Sequence, residues 1–297
     1  MIKKKIFWLK TGNFNGLLDD GGTLNMLTLL GELRKRGCDS LVHSIRGPAD
    51  DSVITKYSQM ARSWPKESDV VMKESTLSFV TKGIPVNVRF LFKEDAITLF
   101  KERDERRFRE AVERVKEEIQ EERPDAIITT QEDIFALLPA SKAGVPHFHV
   151  FSSDTFKYNH TYNLYRNEFI AALASARVVT HNPFFVKDIM RIWRKKAYVL
   201  PAIIDYRQYI AEKRVGRYIT FINYCPVKGS VIFWNIARKM THKEFLITNR
   251  DGRFKNEDGL SNVTCVGREG DMKNIYGATR ILLVPSLWEE SYARVIT

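Results

Sequence analysis

The closing stretch, Ile281-Leu-Leu-Val-Pro-Ser-Leu-Trp-Glu-Glu-Ser-Tyr-Ala-Arg-Val-Ile-Thr297, decides how the rest of the sequence is read. The apolar run Ile281 to Val284 is closed by Pro285-Ser286, and a run of that kind bounded by turn residues reads as a buried central parallel strand. Glu289 and Glu290 follow, then the start of a helix. Carboxylates just past the C-terminal end of such a strand stand where open α/β sheets bind their ligands. An α/β fold and a binding site are therefore expected together, at a point where the sequence stops one turn into a helix.

Upstream, short β-rich runs alternate with helical periodicity, the signature of parallel α/β structure. Ile6–Leu9 reads as a strand, residues 11–22 as a Gly, Asn and Asp loop, Thr23–Lys35 as a helix and Ser40–Ile45 as a strand. Residues 46–75 have no clear period. Thr76–Phe92 alternates as a hairpin turning at Lys82-Gly83. Phe108, Val112, Val115 and Ile119 mark one side of a helix whose remaining residues are almost all charged, a face read as solvated. Pro124 ends it. Ala126–Thr130, His147–Phe151, Val178–Thr180 and Ala197–Leu200 are further strands, with a helix at Ile134–Ala143. A second alternating unit begins near Arg217: strand Tyr218–Asn223, a helix carrying Val231 to Ala237, and strands Glu244–Thr248, Val263–Val266 and Ile281–Val284, with Asp271 opening a short helix. The charged stretch Asp205–Arg217 reads as a hinge. Two Rossmann-like domains are expected, 1–204 and 205–297, the second incomplete.

Composition excludes several classes. With 44% hydrophobic and 28% charged residues in 297, disorder is not expected. Cys38, Cys225 and Cys265 show no CxxC spacing, which argues for a reducing compartment and against a disulfide scaffold or zinc site. The apolar run after Lys3-Lys4-Lys5 is too short for a signal core, and no run approaches a membrane span. A cytoplasmic protein, at most peripheral to a membrane, is the reading. The net charge of +11 is uneven: residues 1–160 hold 25 basic and 24 acidic side chains, residues 161–297 hold 22 and 12. Much of the excess falls in 161–217, which suits phosphorylated ligands, acidic lipid or nucleic acid, and equally an ordinary solvated face.

Several residues could carry chemistry. Lys228-Gly229 lies between a strand and a helix start, where free backbone N–H groups and the helix dipole favour an anion and lysine adds a full charge. An exposed lysine fits the same pattern. Asp19-Asp20-Gly21-Gly22-Thr23 is the corresponding stretch of the first domain, either a ligand-approach loop or a tight turn with an N-cap. Glu289-Glu290 beside Trp288 suits polyhydroxyl recognition, and the amides of Ser291 and Tyr292 could face a phosphate. His147 and His149 share one face of a strand without a third ligand, so a structural role is read ahead of a metal site. Glu132-Asp133 is a further carboxylate pair after a strand.

The order Phe221-Ile-Asn-Tyr-Cys-Pro-Val-Lys-Gly229, Asn262-Val…Gly267, Asp271-Met-Lys-Asn-Ile-Tyr-Gly-Ala-Thr279 and Leu283-Val-Pro-Ser-Leu-Trp-Glu-Glu-Ser-Tyr-Ala-Arg-Val295 resembles the family 4 glycosyltransferases of GT-B fold. The first half agrees more loosely, through Gly21-Gly22, Ala143-Gly-Val-Pro146 and Tyr198-Val-Leu-Pro-Ala-Ile-Ile-Asp205. The resemblance implies two Rossmann domains facing across a cleft, with a nucleotide sugar mainly against the second. It implies that Lys228 binds the donor diphosphate, with Gly229 beside it, and that Glu290 contacts the donor sugar as the first glutamate of an E-x7-E motif. Ser291 and Tyr292 match a phosphate-facing turn, Gly267 falls near the nucleobase pocket, and Gly21-Gly22 closes on the donor. Asn223 stands where the family often has a second cation, an arginine. The second glutamate would fall just past Thr297, so the resemblance also implies a shortened, weakly active or inactive chain.

On that basis the expected activity is retaining transfer of a sugar from a nucleotide-sugar donor to a glycan, lipid or small acceptor, with no metal or separate cofactor. Nucleic acid is not an expected partner; peripheral contact with an acidic membrane surface is. Two other readings stay open: a non-catalytic protein binding acidic lipid or nucleic acid through 161–217, and a sugar-nucleotide epimerase.

Overall fold

Lys82 and Gly83 join β4 (Thr76–Thr81) to β5 (Ile84–Phe90) at φ 50° and 72°. Positive φ at both central residues is what a twisted two-residue hairpin requires. The computed structural model describes residues 3–11, 21–47, 55, 71–73, 76–91, 104–131, 133–157, 165–249, 256, 259–267, 272–290 and 292–296. The chain forms two units, Met1–Ile203 and Ile204–Thr297.

In the first unit the described elements run β1 (Lys5–Thr11), α1 (Gly21–Lys35), β2 (Asp39–Arg46), β3 (Val71–Lys73), the β4–β5 hairpin, α2 (Glu105–Glu122), β6 (Ala126–Thr130), α3 (Ile134–Lys142), β7 (His147–Phe151), α4 (Arg166–Ser175), β8 (Arg177–Thr180), α5 (Pro183–Trp193) and β9 (Ala197–Val199). The sheet order is β3-β4-β5-β2-β1-β6-β7-β8-β9. From β5 to β9 every neighbouring pair is parallel, and the hairpin adds an antiparallel margin. Alternate residues of β1 enter opposite cores, as the period of two demands. Leu9 packs with α2, α3, α4 and α5, and Trp8 packs with α1 and the hairpin. Helices α4 and α5 fall where the sequence pattern had been assigned no element.

Asp104 caps α2 by accepting from the Arg107 amide, and Arg123 closes it in the left-handed region. Its apolar face is the expected one, but the assignment of its charges to solvent fails at Glu118. That carboxylate is buried and lies 3.3 Å from His43 Nε2 and 2.9 Å from Arg89 Nε. Helical position decided this, because Glu118 falls between Val115 and Ile119 on the side facing the sheet.

The second unit holds β10 (Tyr218–Phe221), α6 (Ser230–Lys239), β11 (Phe245–Asn249), β12 (Val263–Gly267), α7 (Lys273–Ala278) and β13 (Thr279–Leu283), with the parallel order β12-β11-β10-β13. Phe221, Phe233, Trp234, Phe245 and Ile247 form its main core. The apolar run at Ile281 is a parallel strand, as read, but not a central one. It pairs only with β10 among the described residues, and Ile281 is 50% exposed. An unbroken apolar pattern marks a strand without a polar face; it does not say how many neighbours the strand has. The helix expected after Glu290 is also corrected: the described backbone there makes a 3-10 turn, Arg294–Ile296. From Val215 to Arg217 the expected hinge is bonded to the C-terminal end of α7, Val215 N donating to Gly277 O at 2.9 Å and Arg217 N to Ala278 O at 2.9 Å.

Candidate functional site

In the second unit the strand order reverses at β10: β11 and β12 follow it on one side, and β13 then returns to its other side. Ligands of open α/β sheets bind at such a reversal, beyond the carboxyl ends of the strands. Asn223, Lys228, Gly267 and Glu290 all follow or end parallel strands, so topology brings them to that one edge.

The loop after β10 turns through Asn223 at φ 63° and a 3-10 turn, Pro226–Lys228, then Gly229 at φ 89° precedes α6. The loop after β13 comes down on it. Leu287 N donates to Val227 O at 2.9 Å, and a Cβ built on Gly229 would stand 2.2 Å from the Pro285 carbonyl oxygen. Gly229 therefore admits the backbone of Pro285. Two amides of the loop are not free: Lys228 N and Gly229 N donate to Cys225 O and Pro226 O at 3.1 and 2.9 Å, because the tight turn consumes them. The lysine side chain is what the turn presents.

The Lys228 ammonium pairs with Glu290 Oε1 and lies over the Trp288 ring, 4.6 Å from its centroid. Ser286 Oγ donates to the same carboxylate at 2.7 Å. Both charged side chains are about four-fifths buried, 24% and 20% exposed, which strengthens their attraction relative to bulk water. Burial pushes the Glu290 carboxyl up, but Lys228, Trp288 and Ser286 more than offset it and hold it below the ordinary value. The result is a fixed carboxylate paired with a cation that also lies over an aromatic face. Such a pair can receive an anion at the lysine and hydroxyl donors at the glutamate.

Gly267 ends β12 and is exposed; Tyr292 is half-buried, its carbonyl accepting from Arg294 N at 3.0 Å. Ser291 lies outside the described residues, as do Asp19, Asp20, Glu132 and Asp271. Gly21 and Gly22 are not a turn before the helix but the first two residues of α1, where amides have no intrahelical acceptor to lose.

The first sheet also reverses, at β1 between β2 and β6. There the Asp133 carboxylate caps α3 through Ala136 N at 3.1 Å and accepts from Thr11 N at 2.7 Å and from the Thr11 hydroxyl. Burial pushes Asp133 up to about 6 against those donors. Gln131, at φ 55°, donates to Ser153 Oγ at 2.6 Å and accepts from Ser152 N. Sequence reasoning had flagged Asp133 but neither Thr11 nor Gln131. Their signal, a polar residue at each strand's C-terminal end, is too common to single them out.

Thr129 Oγ1 stands between His147 Nε2, at 2.7 Å, and His149 Nδ1, at 2.8 Å. Both rings are buried; desolvation lowers His147 to about 4 and His149 well below the usual value, so both are neutral. Among the described residues no group of three His, Cys, Asp or Glu could hold a metal, and no helix is long and apolar enough to cross a membrane.

No protein-family profile matches the sequence, and no curated protein shows significant similarity to it. Solved structures do. Starch synthase IV from Arabidopsis thaliana, in a structure with ADP and acarbose, superposes with a TM-score of 0.60 at 12% identity, over 97% of this chain and 79% of its own. HepE from Anabaena, in a structure with UDP, gives 0.62 at 14% identity, over 98% and 77%. Sucrose-phosphate synthase from Thermosynechococcus elongatus gives 0.60 at 13%, over 98% and 78%. The fold is GT-B. Within this GT-B chain the Lys228–Glu290 pair lies at the carboxyl edge of the second sheet, and the Thr11–Asp133 contact at that of the first.

Proposed function

We propose that this chain transfers a sugar from a nucleotide-sugar donor to a glycan, lipid or small-molecule acceptor, with retention, in the manner of the family 4 glycosyltransferases. The observation that carries the reading is the meeting of Lys228, Trp288 and Glu290 at the reversal of the second sheet. The GT-B fold and the nucleotides named for its structural neighbours support it.

In this reading the second unit holds the donor and the first the acceptor. The bond from the acceptor oxygen to the anomeric carbon forms as the bond to the diphosphate breaks, and the acceptor proton passes to the departing phosphate oxygen. Charge builds on that diphosphate, and a fixed cation beside it is worth more in the transition state than in the ground state. Lys228 supplies that cation by exchanging part of its contact with Glu290 for phosphate. Glu290, ionised at neutral pH, accepts hydrogen bonds from sugar hydroxyls. Asn223, Gly229, Gly267 and Tyr292 belong to the nucleotide and phosphate side in this reading.

A thermal-shift titration with UDP, GDP, ADP and their sugars tests donor binding. One nucleotide class is expected to raise the midpoint in the native chain and not in Lys228→Ala. No response to any of them would sink the reading. Turnover of a bound donor to an epimer without acceptor would replace transfer by epimerisation.

A further inference from the structure

Helix α5 has two contrasting faces. Phe185, Ile189 and Trp193, spaced by four, are buried against the sheet. The opposite face presents Pro183, Phe184, Lys187, Met190, Arg191 and Arg194 to solvent. Phe184 is 79% exposed and Met190 47%, a large solvent-facing apolar surface set among three cations. The adjoining strand β9 ends the nine-stranded sheet among the described residues, and Tyr198, Val199 and Leu200 are exposed there. Lys196 lies 5.7 Å from the centroid of the Tyr198 ring. From Ala176 to Ile204 the sequence has six basic residues and one acidic one, Asp188. That one is engaged by Lys157 at 2.6 Å and Arg191 at 3.0 Å, so it leaves the outer face cationic.

We propose that the outer face of α5, with the adjoining strand β9, docks onto an anionic lipid bilayer. Cations interleaved with exposed aromatic and aliphatic side chains on one helix face match the two terms of interfacial binding: attraction to acidic head groups and burial of apolar side chains at the acyl boundary. Duplex nucleic acid would use the cations but gain nothing from Phe184 and Met190 on a convex face. A second copy of the chain would bring the same cations against themselves, because a two-fold contact is isologous. The face is independent of the Lys228–Glu290 site and of the chemistry proposed there.

Sedimentation of the full chain with phosphatidylcholine vesicles, with and without phosphatidylglycerol, tests the inference. Binding only to the anionic vesicles is expected. Each Lys or Arg near such a surface contributes about fivefold to partitioning, so Lys187→Gln with Arg194→Gln lowers binding about 25-fold. Phe184→Ser, in a separate variant, lowers it about tenfold or more by removing a buried ring. All these positions are exposed, and an unchanged unfolding midpoint in each variant shows that the fold is intact. No binding to anionic vesicles overturns the proposal. So does binding that Phe184→Ser leaves unchanged, which would show a surface for polyanions rather than for lipid.

Discussion

Gly229 lies so close to Pro285 that a Cβ at Gly229 would stand 2.2 Å from the proline carbonyl oxygen. This contact seats the loop after β13 on the loop after β10 and carries Lys228 to Glu290. Gly229 also sits at φ 89°, where a Cβ is strained whatever the space around it. Gly229→Ala is expected to cost about 3 kcal/mol or more, from strain and overlap together. Denaturant unfolding measures it, and a loss below about 1 kcal/mol would mean that the two loops separate freely.

Lys228 and Glu290 are coupled in the unliganded fold. Lys228→Met and Glu290→Gln each leave a largely buried charge without its partner, so each is expected to destabilise. The double variant should lose less than the sum of the two, by about 1 kcal/mol. Additive losses in a double-mutant cycle would show that the pair does not hold in solution.

The buried histidine pair is expected to make the fold acid-sensitive. His147 is lowered to about 4 by desolvation, against an ordinary 6.5, so the unfolded chain binds the proton that the folded chain refuses. The stability it contributes is full above about 6.5 and is lost as pH falls towards 4, by about 3 kcal/mol for this ring. In His147→Gln the slope of stability against pH between 6.5 and 4 should flatten, as read from unfolding midpoints. An unchanged slope would place the acid sensitivity elsewhere.

Asp133 works in the opposite sense. Its folded value, about 6, lies above the ordinary 3.8, so the folded chain holds a proton that the unfolded chain has released. Its favourable share is full below about 3.8 and is lost as pH rises through 6. Asn caps helices as well as Asp does, so Asp133→Asn should fold. The native chain's midpoint, relative to that of the variant, is expected to drop between pH 4 and 7. A constant difference would contradict the raised value.

Glu118 is the buried anion between His43 and Arg89. Removing it leaves the partly exposed Arg89 guanidinium with Thr76 but without its carboxylate, so Glu118→Ala is expected to cost about 3 kcal/mol. Adding Arg89→Met to that variant should recover part of the loss. Failure to recover would show that the lost packing of α2, rather than charge, sets the cost.

The sequence by itself determined what acts over a few residues. The period-two hairpin and its Lys82-Gly83 turn, the apolar stripe of α2, its stop at Pro124 and the strand-to-helix position of Lys228-Gly229 all follow from backbone sterics and side-chain spacing within one element. The alternation of those elements sufficed for an α/β class with parallel sheets.

The tertiary structure alone decided sheet order and contacts between distant residues. The run at Ile281 has the same apolar pattern whether it pairs on one side or two, and only the assembled sheet shows that, among the described residues, it pairs with β10 alone. Glu118 looks like every other carboxylate of its helix until the sheet covers its face. Lys228 meets Glu290 across 62 residues, and Thr11 meets Asp133 across 122. No local preference encodes such pairs. They arise because parallel strands must align their carboxyl ends, and the loops that follow those strands then share one edge.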